Sequence, residues 1–359
     1  MDEHDIRVIL EGGGGNGGQV IRTLLWLPGK LYGLAMRLRR SGYGNNWLQS
    51  HSAAVPVISI GNITAGGSGK TPLTALLANH LASRGKKPAI LLRGYRQSDG
   101  GQSDEAVLYG ALCPGVPVEV GSNRLAGAAR AVAAGADVLL MDDGFQHLRL
   151  RRDVDIVLVD ATSPWGGGNT IPGGLLREPP SALSQARAVI VTRSDQVEPA
   201  LLHAMLERIR QLAPHSLVLT ARHRPVRLHK LGGTALPLES LRDRKVAILS
   251  GIARPEAFEK TVAGLGAHIA ATFRGSDHQH FTQQFVMQAV TKAKSLDAVL
   301  VTTEKDQAKN IIGVMADNKL VDNTTIQEMI WVLGIEQDVE GREALFALVD
   351  SVAGLGNSH

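Results

Sequence analysis

The run Val55-Pro56-Val57-Ile58-Ser59-Ile60, followed by Gly61-Asn62-Ile63-Thr64-Ala65-Gly66-Gly67-Ser68-Gly69-Lys70-Thr71-Pro72, restricts the possible folds more than any other stretch. An apolar strand enters a glycine-rich turn, and a helix is expected after Lys70. That strand–loop–helix order is the setting a phosphate loop requires. Glycines let the backbone curl so that successive N–H groups face phosphate oxygens. The helix N-terminus adds a favourable partial charge. The expected nucleotide-binding residues are therefore Thr64, Ala65, Gly66, Gly67, Ser68, Gly69, Lys70 and Thr71. Lys70 supplies a point charge for the β and γ phosphates and Thr71 a hydroxyl for Mg²⁺, while Pro72 sits where a missing N–H is harmless. Thr64 occupies the position where the strict pattern has glycine.

A phosphate loop needs a carboxylate at the end of a neighbouring strand to hold Mg²⁺ and its water. Val138-Leu139-Leu140-Met141-Asp142-Asp143 provides two. They fall where open α/β sheets bind ligands, at a strand's C-terminal end. Other short Val/Ile/Leu runs, Pro88 to Leu92, Ile156 to Val159 and Ala188 to Val191, alternate with helical stretches. This pattern predicts a parallel sheet covered on both faces. The fold class is thus α/β: a P-loop NTPase-type parallel sheet sandwiched by helices, with a second, smaller α/β domain.

The chain's 359 residues suit two domains. Six segments are expected: a flexible Gly-rich tether at 1–18, an amphipathic helix segment at 19–51, the P-loop domain at 52–215, an extended linker at 216–244 carrying Pro225 and Pro237, the smaller α/β domain at 245–328, and a return strand with a C-terminal helix at 329–359. The single cysteine, Cys113, excludes an internal disulfide framework and a Cys-cluster metal site. A net charge of +4 gives no argument for nucleic acid. No run reaches the ~18 apolar residues of a spanning helix. The acidic start, Asp2-Glu3-His4-Asp5, lacks a secretory n-region, so a cytoplasmic location is expected.

Segment 19–51 carries Arg22, Lys30, Arg37, Arg39 and Arg40 without an acidic residue, and holds Trp26, Tyr32, Tyr43 and Trp47. Leu31, Leu34, Ala35 and Leu38 form one helical stripe, with Lys30, Arg37 and Arg40 expected on the far side. Pro28-Gly29 is expected to break or bend the segment before that stripe.

The residues around the loop narrow the class. Membrane-attached ATPase switches carry a signature lysine in Lys-Gly-Gly, where this chain has Ala65-Gly66-Gly67. A guanine-reading Asn-Lys-x-Asp stretch is missing, which argues against a GTPase. Read with Arg93-Gly94-Tyr95, Ser103-Asp104-Glu105, Asp142-Asp143-Gly144-Phe145-Gln146-His147, Ile171-Pro172-Gly173-Gly174-Leu175-Leu176-Arg177-Glu178-Pro179, Gly251-Ile252-Ala253-Arg254-Pro255, Asp277-His278 and Thr302-Thr303-Glu304-Lys305-Asp306, the loop resembles that of the tetraacyldisaccharide 4'-kinases of lipid A synthesis. The motifs keep the family's order over roughly residues 20–310. Ala106 and Ser276 stand where the family usually has proline, and residues 1–18 have no counterpart.

The resemblance implies transfer of the ATP γ-phosphoryl group to the 4'-hydroxyl of a tetraacylated glucosamine disaccharide 1-phosphate. It implies ATP as substrate, Mg²⁺ as cofactor, an acylated lipid acceptor at the cytoplasmic membrane surface, and a peripheral place on the inner face of the inner membrane. No nucleic-acid partner is expected, and a monomer is. Asp104, expected in a loop after the second strand, matches the family's base, with His278 beside it and Lys70 on the phosphates. Glu178 is expected to join Thr71, Asp142 and Asp143 around Mg²⁺, and Arg93 and Arg177 to meet phosphate or the sugar headgroup. Thr303, Glu304, Lys305 and Asp306 are expected to help close a cleft. A basic, apolar and aromatic helix at 19–51 then suits a headgroup plane. The alternatives are a P-loop ATPase switch with nucleotide-controlled membrane attachment and a soluble small-molecule kinase.

Overall fold

The computed structural model describes residues 3–94, 103–277, 280–309, 311 and 327–355. The chain divides into two compact units, Met1–Arg222 with Gln337–His359 and His223–Glu336.

The first unit begins with α1 (Glu3–Leu10) and α2 (Gly15–Gly44). Then follow β1 (Val57–Asn62), α3 (Lys70–Ser83), β2 (Pro88–Leu92), α4 (Asp104–Leu112), β3 (Val118–Val120), α5 (Arg124–Ala133), β4 (Val138–Asp142), β5 (Val154–Asp160), β6 (Ala188–Thr192) and α6 (Pro199–Leu212). The chain passes into the second unit within β7 (Leu217–Lys230). There it forms β8 (Ala235–Leu236), β9 (Lys245–Ser250), α7 (Pro255–Gly264), β10 (His268–Arg274), α8 (Gln283–Ser295), β11 (Val299–Thr303) and the single turn α9 (Glu304–Gln307). It returns along β12 (Ile330–Val339) and ends in α10 (Arg342–Val352).

In the first unit the strands lie in the order β7-β6-β5-β1-β4-β2-β3, all parallel. The strand period of two sorts their side chains onto two faces. Ile58, Ile60, Val138 and Leu140 pack with Leu77 and Leu81 of α3 on one face. Val57, Leu139 and Met141 pack with Ala128 and Ala131 of α5 on the other. Double-sided burial explains why these strands read as unbroken apolar runs. Each fully buried Leu or Ile contributes about 1.5–3 kcal/mol. Helix α10 closes over α3, where His80 stacks on Phe346 at 3.9 Å and its Nε2 lies 2.8 Å from Asp350.

The second unit has its own parallel strands, β10-β9-β11-β12, with α7 and α8 covering them. Here the side chains of the Thr303–Asp306 stretch are taken up internally. Asp306 accepts from the Gly251 N–H at 3.1 Å and from Lys309 at 2.9 Å, Glu304 bonds Arg227 at 3.0 Å, and Lys305 bonds Asp277 at 2.8 Å.

Several expectations are corrected. Of the expected tether at 1–18, the described residues 3–18 are not a plain tether. Arg22 donates to the carbonyls of Ile9 and Gly13, both at 2.7 Å, folding α1 back on α2. Pro28 does not break α2, which continues through it, and the helix packs there against Asn169 and Thr170. Asn169 donates to the Trp26 carbonyl at 3.1 Å and Thr170 to that of Gly29, giving this turn partners from outside the helix. A Cβ on Gly29 would sit 2.6 Å from the Thr170 carbonyl oxygen, so the approach requires glycine there. The expected linker, 216–244, contains the 14-residue strand β7. Asp104 is not in a loop but is the first residue of α4, after Ser103. Arg40 does project from the side away from the leucines, as expected, but that side faces the domain, where it binds Glu178.

Candidate active site

The loop between β1 and α3 is shaped by its carbonyls. Those of Gly66, Gly67 and Ser68 accept from Asn62 Nδ2 at 3.3 Å, Arg193 Nη2 at 2.9 Å and Thr192 Oγ1 at 3.0 Å. In a planar trans peptide the C=O and the following N–H point in opposite directions. Tying these three carbonyls to the scaffold therefore turns the N–H groups of Gly67, Ser68 and Gly69 the other way, which is how an anion-binding nest is made. Gly66 (φ +108°) and Gly69 (φ +89°) adopt the left-handed conformations this curl needs. Arg193, itself at φ +53°, is fixed by the Asp160 carboxylate, and both side chains are buried. Residues 175–177 hold the loop from outside. Ala65 N donates to the Leu175 carbonyl at 2.7 Å and Arg177 N to that of Ile63, also at 2.7 Å, while Thr64 pairs with Leu176.

Beyond the end of β4, Asp143 faces Lys70, with Nζ 3.5 Å from Oδ1. Arg177 Nη1 reaches both Asp143 oxygens, at 2.8 and 2.9 Å. Burial would raise the Asp143 pKa, but the Lys70 and Arg177 charges outweigh it and hold the carboxyl well below the usual range. Asp142 behaves oppositely. Its burial outweighs the Lys70 charge and the hydrogen bond from Tyr109, and its pKa is raised. Tyr109 donates to Asp142 Oδ2 at 2.7 Å from a fully buried position. Burial, with the Asp142 charge behind it, lifts the phenol well above 10, so it stays a proton donor. Arg124 donates to the carbonyls of Asp142 and Asp143, at 2.6 and 3.1 Å. Burial lowers its pKa and the Arg93 charge adds to this, against the two aspartates.

The structure therefore brings Lys70, Asp142, Asp143, Arg177 and the loop together at the C-terminal ends of β1 and β4. Glu178 is placed differently from expectation, because Arg40 of α2 binds both its oxygens, at 2.7 and 2.8 Å. Arg93 acts on Arg124 through its charge, and Asp104 begins α4, the helix that also carries Tyr109. His278 lies outside the described residues. Reasoning from the sequence missed Tyr109, Arg124, Arg193 and the inward role of Arg40. Gln146, which donates to the Asn62 carbonyl at 2.9 Å, was visible as part of a motif but had no assigned task.

Among the described residues no cluster of three or more His, Cys, Asp or Glu could hold a metal. The donor set at this site is two carboxylates with the Thr71 hydroxyl beside a phosphate loop. That suits Mg²⁺, which takes one or two carboxylates plus phosphate oxygens and water.

A model of the tetraacyldisaccharide-1-P 4'-kinase family (LpxK) matches residues 21–353. A tetraacyldisaccharide 4'-kinase of Anaeromyxobacter sp. (strain Fw109-5) is 39% identical over 324 residues, covering 85% of this chain and 86% of that protein. One from Geobacter metallireducens is 36% identical over 310 residues, covering 81% and 89%. An LpxK crystal structure from Aquifex aeolicus, solved in complex with ATP, superposes with a TM-score of 0.70 at 26% identity, over 92% of this chain and 99% of that one. The chain belongs to the tetraacyldisaccharide 4'-kinase family.

Proposed function

We propose that this chain transfers the γ-phosphoryl group of ATP to the 4'-hydroxyl of a tetraacylated glucosamine disaccharide 1-phosphate, at the loop between β1 and α3. The observation that carries the reading is the set of three outward-tied carbonyls beside the Lys70–Asp143–Arg177 cluster. The turned N–H groups and Lys70 hold the triphosphate and absorb charge that builds on its oxygens. Mg²⁺, held through Thr71, Asp142 and Asp143, would neutralise the β and γ phosphates. Tyr109 fixes the Asp142 carboxylate and Arg124 holds the backbone carbonyls of Asp142 and Asp143. Arg177, paired with Asp143, stands ready to meet a phosphate oxygen. Asp104 takes the proton of the acceptor hydroxyl as its oxygen bonds to γ-phosphorus and the bond to ADP breaks. Its helper His278 rests on the family motif alone.

Helix α2 is the segment we propose meets the membrane surface. Val20, Leu24, Leu27, Leu31, Leu34 and Leu38 are exposed along it, with Trp26, Lys30 and Arg37, while Gly18, Gly29, Gly33 and Gly42 are buried. The apolar stripe thus faces away from the core, as an interfacial helix requires. No helix among the described residues is long and apolar enough to cross a membrane. Action as a monomer on the inner face of the inner membrane completes the proposal.

The test is incubation with γ-labelled ATP and the acylated disaccharide 1-phosphate, with the new phosphate located by NMR. Label at the 4' position in the wild type and its loss in Lys70→Ala are expected. A wild type that labels nothing, or labels another hydroxyl, would refute the assignment.

A further inference from the structure

We infer that Arg40 is a positioning residue for phosphoryl transfer, so that the inner face of α2 forms part of the reaction site's support. The inference rests on the kinase reading above.

Arg40 lies on the side of α2 opposite the exposed leucines, where buried glycines otherwise bring the helix close to the domain. A guanidinium on such a face loses solvation and must be repaid by geometry. It is engaged three ways. Nε and Nη2 fork onto the two Glu178 oxygens at 2.7 and 2.8 Å. Nη2 also donates to the Phe145 carbonyl at 3.1 Å. The guanidinium sits 4.2 Å from the centre of the Phe145 ring. Arg39 adds a bond to the neighbouring Gln146 carbonyl at 3.1 Å.

Both segments gripped by Arg40 deliver reacting-site groups. Glu178 follows Arg177, and Phe145 lies two residues after Asp143. Arg177 and Asp143 are the pair joined at 2.8 and 2.9 Å, with Lys70 beside them. One side chain therefore sets the separation of the two loops whose charges meet at the phosphates. A lysine there would keep the charge but could not fork a carboxylate, reach the carbonyl and cover the ring together.

One helix then has two separable faces. The outer leucines govern access to acceptor in a membrane, and Arg40 governs turnover whatever the acceptor's state. The experiment compares wild type, Arg40→Lys, Arg40→Gln and Leu31→Ser in the full chain. Each is given the acceptor in phospholipid vesicles and as a short-chain, water-soluble analogue. Thermal stability and the Kd of a non-hydrolysable ATP analogue are measured alongside, with His80→Ala as a destabilised control remote from the site. Arg40→Lys is expected to lower kcat roughly 10–100-fold on both acceptors, as loss of a ligand-orienting partner does. Its analogue Kd should be nearly unchanged, because the hydrogen bonds of Arg40 go to Glu178 and Phe145 and none goes to phosphate-loop residues 64–71. Arg40→Gln leaves Glu178 buried without its partner and is expected to lose stability as well. Leu31→Ser should lose activity on vesicles alone, and His80→Ala should keep its kcat. Native kcat in Arg40→Lys, or a loss that His80→Ala reproduces at equal stability, would overturn the inference. A wild type inactive on both acceptors would overturn the kinase reading and this inference with it.

Discussion

Gly61→Ala tests how tightly the phosphate loop and the metal-site loop are fitted to each other. Gly61 lies near the end of β1, against Phe145. A Cβ built on it would lie 2.5 Å from Phe145 Cβ and 2.8 Å from Phe145 N, where ordinary contact begins at 3.4 Å. The segments would have to part by roughly 1 Å, a displacement of the size that can cost catalysis about 100-fold. Sliding cannot relieve it. Gly144 N donates to the Ile60 carbonyl at 3.0 Å and Gln146 Nε2 to that of Asn62 at 2.9 Å, which staples the segments on either side. Overpacking of this kind costs about 1–3 kcal/mol. That corresponds to a melting-point fall of several degrees, at about 2–4 °C per kcal/mol for the 150–250-residue range into which the first unit falls. Differential scanning fluorimetry and steady-state kinetics would read both effects. Gly110→Ala is the control, since its Cβ meets nothing within 4 Å and it should be neutral or slightly stabilising. A Gly61→Ala protein with native melting point and native kcat would show that the fit between the two loops is not what positions Asp143.

Other perturbations probe separate links. Arg193→Gln frees the Gly67 carbonyl and leaves Asp160 without its arginine, so ATP-analogue affinity should fall by about tenfold or more; unchanged affinity in titration calorimetry would show that the loop holds its own shape. His147 is held down at about 4 by burial, with the Arg124 charge next in weight. The unfolded imidazole takes a proton near ~6.5, so the folded form binds fewer protons between those values. Its contribution is full above ~6.5 and is lost as pH falls toward 4. His147→Gln should flatten that part of a stability-against-pH curve, and a curve as steep as the wild type's would count against it. Replacing both Leu24 and Leu31 with serine should weaken flotation with anionic vesicles while leaving the melting point nearly unchanged, because both side chains are exposed; undiminished flotation would remove α2 from the membrane.

What could be read in advance was local. The glycine loop, Lys70, Thr71 and the Asp142-Asp143 pair lie within short motifs whose strand–loop–helix context is itself written in the neighbouring residues. Tyr109 and Arg124 reach Asp142 from helices 33 and 18 residues away in sequence, and no spacing rule announces such a contact. Periodicity showed that α2 has an apolar stripe, but not which side faces inward. The better signal was Gly29 and Gly33, one turn apart, which mark close approach to Asn169 and Thr170. Pro225 and Pro237 suggested a linker over 216–244. Pro225 lies within β7, whose tie to β6 runs through Leu217–Thr220, ahead of the proline, so the missing N–H spares that pairing. The Gly-rich start looked structureless because composition cannot show that Arg22 folds back onto Ile9 and Gly13.

The most direct measurement is a crystal structure of this chain with a non-hydrolysable ATP analogue and Mg²⁺. The triphosphate is expected against Gly67, Ser68 and Gly69, with their backbone nitrogens at hydrogen-bonding distance, about 2.7–3.2 Å, and with Lys70 moved from Asp143 toward the phosphates. A nucleotide bound elsewhere, with those three N–H groups facing water, would contradict the reading at its root.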